Sequence, residues 1–269
     1  MLTRIITGLV MAVLVVLCFT SGPTWLQAMV VLVAAGLCLA ELYGMALPGH
    51  PVERVVGIVL GVALLTVLWR AAEPPMLLMC ALALFVPALL VVLRPMPIER
   101  AAFRLFVLWG SLIYIVVPLA SALALIFDYG TPDGIAGHGL WILYVGASVW
   151  GGDTSAYFAG RAFGRHKLHP KVSPNKTWEG AIGGLIGSAL GGLALVKATD
   201  LPLHTGQAIM FSLVGGAIAQ VGDLVESLIK RACGVKDSGT LLPGHGGLLD
   251  RIDAFIVALP FFAAMILQA

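Results

Sequence analysis

Two pairs of carboxylates stand near the end of this 269-residue chain, Asp223 with Glu226 and Asp250 with Asp253. Residues three apart share a helix face, and Ser227, four beyond Asp223, joins the first pair. Between the pairs lie Lys230, Arg231, Lys236, Asp237 and His245, with glycines at 234, 239, 244, 246 and 247; Arg251 sits inside the second pair. Carboxylate clusters of this kind suit Mg²⁺, which takes oxygen ligands and completes its shell with water and substrate phosphates. Glycines such as Gly246 and Gly247 let backbone amides approach an anion, and the cations neutralise phosphate charge. A metal binder and a phosphate binder in one loop are what phosphoryl or nucleotidyl transfer requires. The plainer alternative is a set of interfacial ion pairs among Asp223, Lys230, Arg231, Asp250 and Arg251, and spacing alone leaves it open.

The elements that must position these residues are membrane helices. Hydrophobic residues make up 59% of the chain, charged residues 11%, and mean hydropathy is +0.99. A soluble domain would carry about 25% charged residues. Of the 30 Asp, Glu, Lys and Arg residues, nine fall within Asp223–Asp253, so this segment has to be solvated, paired or bound to something. Apolar runs long enough for a ~30 Å hydrocarbon core recur at 5–20, 23–47, 55–72, 75–93, 102–127, 138–160, 177–198, 206–230 and 250–268. The expected fold class is therefore all-α, a polytopic integral membrane protein of about nine transmembrane helices, with a break of only a few residues between the third and fourth.

With nine spans, 14 of the 16 Lys and Arg fall on one face, leaving Arg70 and Lys197 for the other. That asymmetry marks the cytoplasmic side. It places the N-terminus inside, the C-terminus outside and the polar segment at the cytoplasmic face of the cytoplasmic membrane. Arg4 followed by an apolar run reads as an uncleaved first span rather than a signal peptide. The cysteines, Cys18, Cys38, Cys80 and Cys233, are scattered, without a zinc or disulfide spacing. A net charge of +2 and the lack of a basic arm argue against a nucleic-acid partner. Residues 1–130 read as scaffold helices and 131–269 as a catalytic region of the same membrane domain. In the latter, Ala181 with Gly184 and Gly183 with Gly187 form small-residue seams, within the chain or in a homodimer; a homodimer is expected.

Further candidates lie upstream. Asp153 is an ionisable residue inside a span, a functional candidate by default, unless it pairs with Arg161 or Lys176. Ser173, Asn175 and Lys176 precede the seventh span, whose N-terminus could face a phosphate; a turn and helix cap is the alternative. Arg161, Arg165, His166, Lys167, His169 and Lys171 form a basic run, either an ordinary cytoplasmic loop or an attractor of anionic headgroups. Glu41, in the second span, has the weaker case. Tyr43, Trp150, Phe158 and Trp178 at span ends read as interfacial anchors.

The run Ser227 to Asp253, Ser-x-Ile-Lys-Arg-x4-Lys-Asp-x-Gly-x2-Leu-Pro-x-His-Gly-Gly-Leu-x-Asp-Arg-Ile-Asp, resembles the signature of the phosphatidate cytidylyltransferases, or CDP-diacylglycerol synthases. The blocks Asp153–Thr–Ser–Ala–Tyr–Phe–Ala–Gly–Arg161 and Ser173–Pro–Asn–Lys–Thr–Trp–Glu–Gly180 are similar to the family's as well. The likeness covers about residues 150–260; the first 130 match as generic spans. It implies that CTP and phosphatidate, a membrane lipid, give CDP-diacylglycerol and pyrophosphate. It also implies that Asp223 and Asp250 hold a paired cation centre of Mg²⁺ and K⁺. Lys230, Arg231, Lys236 and Arg251 then become phosphate contacts and His245 a triphosphate contact or loop tie, while Asp237 and Asp253 orient cations or support the metal. Two other classes compete: a CTP-dependent polyprenol or lipid kinase, which would release CDP, and an ion transporter, which would carry polar residues through the bilayer.

Overall fold

A computed structural model describes residues 2–70, 73–94, 97–127, 138–199, 201–242, 244 and 246–268. The described residues form helices α1 (Leu2–Ser21), α2 (Thr24–Ala46), α3 (Pro51–Arg70), α4 (Glu73–Val92), α5 (Ile98–Ser111), α6 (Val117–Phe127), α7 (His138–Phe163), α8 (Trp178–Thr199), α9 (Thr205–Ala232) and α10 (Leu249–Ile266). A π turn, Leu112–Val116, joins α5 to α6, and Ile98–Phe127 runs as one continuous rod. The π turn lies directly ahead of Pro118, which lacks the N–H that an α-helix would donate to the Tyr114 carbonyl; the Val117 N–H reaches Leu112 O instead.

The chain is thus an all-α polytopic membrane protein. Among the described residues, six segments are long and apolar enough to cross a bilayer: Thr24–Ala46, Pro51–Arg70, Pro75–Val92, Ile98–Phe127, Trp178–Thr199 and Thr205–Ala232. Of the short break expected at 71–75, residues 71 and 72 lie outside the described residues, while 73–75 already belong to α4. One departure from an all-helical reading is a small antiparallel hairpin, β1 (Lys167–His169) with β2 (Ser173–Thr177). The turn expected at Ser173–Lys176 is a strand that feeds straight into α8. The helix cap is one residue further on, where Thr177 Oγ1 accepts the Gly180 N–H at 3.1 Å.

Apolar surface is sorted by position in the bundle. α3 and α4 expose Val55, Val59, Leu77, Phe85 and Leu89, as lipid-facing helices do. α10 is the reverse: Leu249, Ile256, Ala258, Leu259, Phe262 and Ile266 are fully buried, and it packs on α9, α6, α7 and α2. The small-residue seams are spent inside the chain, because Gly183, Gly184 and Gly187 of α8 face Ala159, Ala156 and Ser155 of α7. Hydroxyls tie α7 to α9: Tyr144 donates to the Ala208 carbonyl at 2.9 Å, and Ser148 and Ser212 lie 3.0 Å apart.

Tyr43 corrects one expectation. It is a core residue, fully buried, with its hydroxyl 2.5 Å from Ser111 Oγ, so it does not sit at an interface. Trp150 is exposed, as an anchor would be, and its ring also stacks on Phe255 of α10 at 6.0 Å. Phe158 and Trp178 are exposed, as anchors would be.

Candidate active site

The C-terminal turns of α9 and the first turn of α10 meet at one end of a cavity of about 1090 Å³. Asp153, Asn175, Lys176, Asp223, Lys230, Asp237, Asp250, Arg251 and Asp253 line that end. Four elements converge there, α7, β2, α9 and α10, together with the loop between the last two. The other end is apolar, walled by Met11, Val15 and Phe19 of α1, Val30, Val31 and Ala34 of α2, Leu119 and Ala122 of α6 and Ile142 of α7. The cavity is therefore amphipathic along its length.

Each carboxylate has a distinct setting. Asp223 Oδ2 lies 2.5 Å from Lys176 Nζ, and its Oδ1 accepts the Ser227 hydroxyl at 3.4 Å. Asp250 Oδ1 accepts Lys230 Nζ at 2.7 Å, while its Oδ2 accepts the Ser238 and Gly247 N–H groups at 2.8 and 2.9 Å. Lys230 also makes a close ion pair with Glu226 Oε2. Glu226 is 1% exposed and is absent from the cavity wall, behind Lys230. The shared face expected for Asp223 and Glu226 is thus divided: Asp223 looks into the cavity and Glu226 into the protein. Asp153 lines the cavity; of the partners foreseen for it, Lys176 pairs directly with Asp223 but is near enough to act on Asp153 electrostatically, and Arg161 donates to the Tyr157 hydroxyl at 3.1 Å.

Other candidates fall outside the wall. Arg231 donates to the Val235 carbonyl at 3.1 Å, closing the end of α9. Lys236 is exposed. Ser227, Gly246 and Gly247 touch Asp223 or Asp250 without lining the cavity; Ser173, paired with His169 in the hairpin, does not line it either, and His245 lies outside the described residues. Burial raises the pKa of the Cys233 thiol, consistent with a small filler. In the basic run, Arg161 reaches the cavity, and His166 is tied by its ring to Glu179 at 2.6 Å.

The loop amides serve a purpose that glycine content alone does not reveal. The anions they meet are the protein's own carboxylates: Asp250 takes the Ser238 and Gly247 amides, and Glu41 takes those of Leu248 and Leu249. Gly246 adopts φ +84°, where a side chain is strained, and a Cβ there would lie 2.8 Å from Asp250 Oδ2. Glu41 and Ser238 are the residues that sequence reasoning undervalued. The rule that singled out Asp153, an acid inside an apolar span, applied equally to Glu41; nothing local distinguishes Ser238.

The donor set fits a hard divalent cation. Asp153, Asp223, Asp250 and Asp253 supply only oxygen, the donor type such an ion takes; among the described residues no group of three or more acids, histidines or cysteines is arranged to hold a metal by itself.

Fold and site together define a class: a polytopic helical membrane protein with carboxylates and basic side chains gathered at one end of a largely apolar cavity. Residues 2–268 match the Cytidylyltransferase family, and the chain belongs to it. It is 47% identical over 150 residues to the phosphatidate cytidylyltransferase of Haemophilus influenzae, covering 54% of this chain and 51% of that protein. The Pseudomonas aeruginosa protein of the same name is 43% identical over 164 residues, 60% of this chain and 57% of that one. The one from Staphylococcus haemolyticus is 47% identical over 128 residues, 48% and 49% of the two chains. The matched stretch spans about half the length of these relatives.

Proposed function

We propose that this chain is a phosphatidate cytidylyltransferase, joining CTP and phosphatidate into CDP-diacylglycerol with release of pyrophosphate. The observation that carries the reading is the amphipathic cavity, charged at the α9–α10 junction and apolar between α1, α2 and α6. A lipid with a phosphate head and acyl tails needs both ends in one continuous space. A soluble-substrate transferase would not need the apolar one.

In this reading an oxygen of the lipid phosphate attacks the α-phosphorus of CTP, and the bond from that phosphorus to the bridging oxygen of the β-phosphate breaks. The nucleophile is already anionic, so no base has to remove a proton. The burden is to hold two polyanions in line and to offset charge on the departing pyrophosphate. Lys176, Lys230 and Arg251 stand on the cavity wall where phosphates would lie. Asp223 and Asp250 would hold Mg²⁺, which supplies charge neutralisation to the phosphates; K⁺ is proposed as the second cation. Arg161 favours an anionic headgroup at the cavity wall. The proposed orientation puts this end of the cavity at the cytoplasmic face of the cytoplasmic membrane, because the cations gather there.

The test is a pyrophosphate-release assay on purified protein with CTP, Mg²⁺ and K⁺, offering phosphatidate or a polyprenol. The expected result is CDP-diacylglycerol and pyrophosphate with phosphatidate alone. CDP release and phosphorylation of the polyprenol would replace the reading with a lipid kinase. Ion flux through proteoliposomes without turnover would replace it with a transporter.

A further inference from the structure

We infer that Glu41, on α2, is a positioning residue that holds Ser238 and the backbone of Leu248 and Leu249 and, through them, sets the carboxylate of Asp250. α10 begins without a cap of its own: Leu248 occupies the N-cap position and has no side-chain group to offer. The first N–H groups of a helix have no partner within it. Glu41 supplies one from 207 residues away, accepting the Leu248 N–H on Oε1 at 2.9 Å and the Leu249 N–H on Oε2 at 2.8 Å. A negative charge at that place also complements the helix dipole.

The same carboxylate accepts the Ser238 hydroxyl on Oε2 at 3.0 Å. Ser238 in turn accepts the Asp250 N–H on its Oγ at 3.3 Å and donates its own N–H to Asp250 Oδ2 at 2.8 Å. A connected path therefore runs from Glu41 through Ser238 to Asp250 and on to Lys230. The backbone is drawn close to Glu41, since a Cβ on Gly239 would lie 2.9 Å from Oε1. Glu41 is absent from the cavity wall, so it acts on the site only through the groups it holds.

The activity part of the test rests on the cytidylyltransferase reading; the exchange part does not. Glu41→Gln keeps the shape but loses the charge and replaces one acceptor with an NH₂ that faces an N–H. Glu41→Asp keeps the charge on a shorter arm. In detergent-solubilised full-length protein, amide exchange of segment 238–249 should speed up roughly tenfold or more in Glu41→Gln, with α8 unchanged. The kcat should fall roughly 10- to 100-fold and the half-saturating Mg²⁺ concentration should rise, while KM for phosphatidate holds. Glu41→Asp should recover part of each. Ser238→Ala combined with Glu41→Gln should cost less than the two separately.

Overturning results are equally concrete. A Glu41→Gln protein with lowered thermal stability but parental exchange at 238–249 and parental Mg²⁺ dependence would reduce Glu41 to a structural residue. A parent protein without turnover would overturn the proposed function and leave the exchange measurement to judge Glu41 alone.

Discussion

Replacing Lys230 with Met separates its part in folding from its part in chemistry. Lys230 Nζ serves two carboxylates, Asp250 Oδ1 at 2.7 Å and Glu226, and the three side chains are only 12%, 5% and 1% exposed. Glu226 Oε1 has no hydrogen-bond partner among the described residues, so the ammonium is the group that offsets its charge. Breaking a buried pair from one side leaves an uncompensated charge and costs about 3–5 kcal/mol. Asp250 is cushioned by the Ser238 and Gly247 amides; Glu226 is not. Most of the loss should therefore be traceable to Glu226, and Lys230→Met with Glu226→Gln should regain about 2–3 kcal/mol of it. Reversible unfolding in mixed micelles reads the stability, and turnover per folded molecule is measured in parallel. The double variant should fold like the parent and still fail at turnover, because Lys230 also faces the cavity. A single variant within about 1 kcal/mol of the parent would refute the reasoning, as would a double variant no more stable than the single.

Three further outcomes follow from the same geometry. Asp223→Asn should lose turnover by on the order of 10²- to 10³-fold yet change stability by no more than about 1 kcal/mol, since the Asp223 and Lys176 side chains are 32% and 25% exposed; a large fall in unfolding free energy would contradict this. Glu53→Gln should do the opposite. The Glu53 side chain is 0% exposed, holds Arg94 at 2.8 Å and Arg104 at 3.1 Å, and is absent from the cavity wall, so about 3–5 kcal/mol of stability should go while turnover per folded molecule stays. Ala34→Phe, at the apolar end, should raise KM for phosphatidate by roughly tenfold or more and leave KM for CTP alone; equal effects on both substrates would place the acyl chains elsewhere.

Legibility varied with distance along the chain. The paired acids flanking the loop were visible in the sequence, and the cavity does gather Asp223, Asp250 and Asp253 with Asp153, Asn175 and Lys176. Helices were legible because a backbone in lipid must satisfy its polar groups internally, and continuous apolar runs of about twenty residues do so as helices. The hairpin Lys167–Thr177 was not, since strands of three and five residues carry too little periodicity to announce themselves. Tyr43 was misplaced for a related reason: an aromatic residue near a span end has the same signature whether it meets lipid headgroups or Ser111.

Composition and local spacing were enough for the class of protein, the run of apolar helices and the residue types at the site, because these depend on length, hydropathy and near neighbours. Which charge answers which was decided by packing. Lys176 pairs with Asp223, Lys230 bridges Asp250 and Glu226, and Glu41 caps a helix 207 residues later. Those partnerships depend on the register of α2, α9 and α10 against one another. A one-dimensional pattern of charges does not contain that register; burial of α10 against its neighbours supplies it.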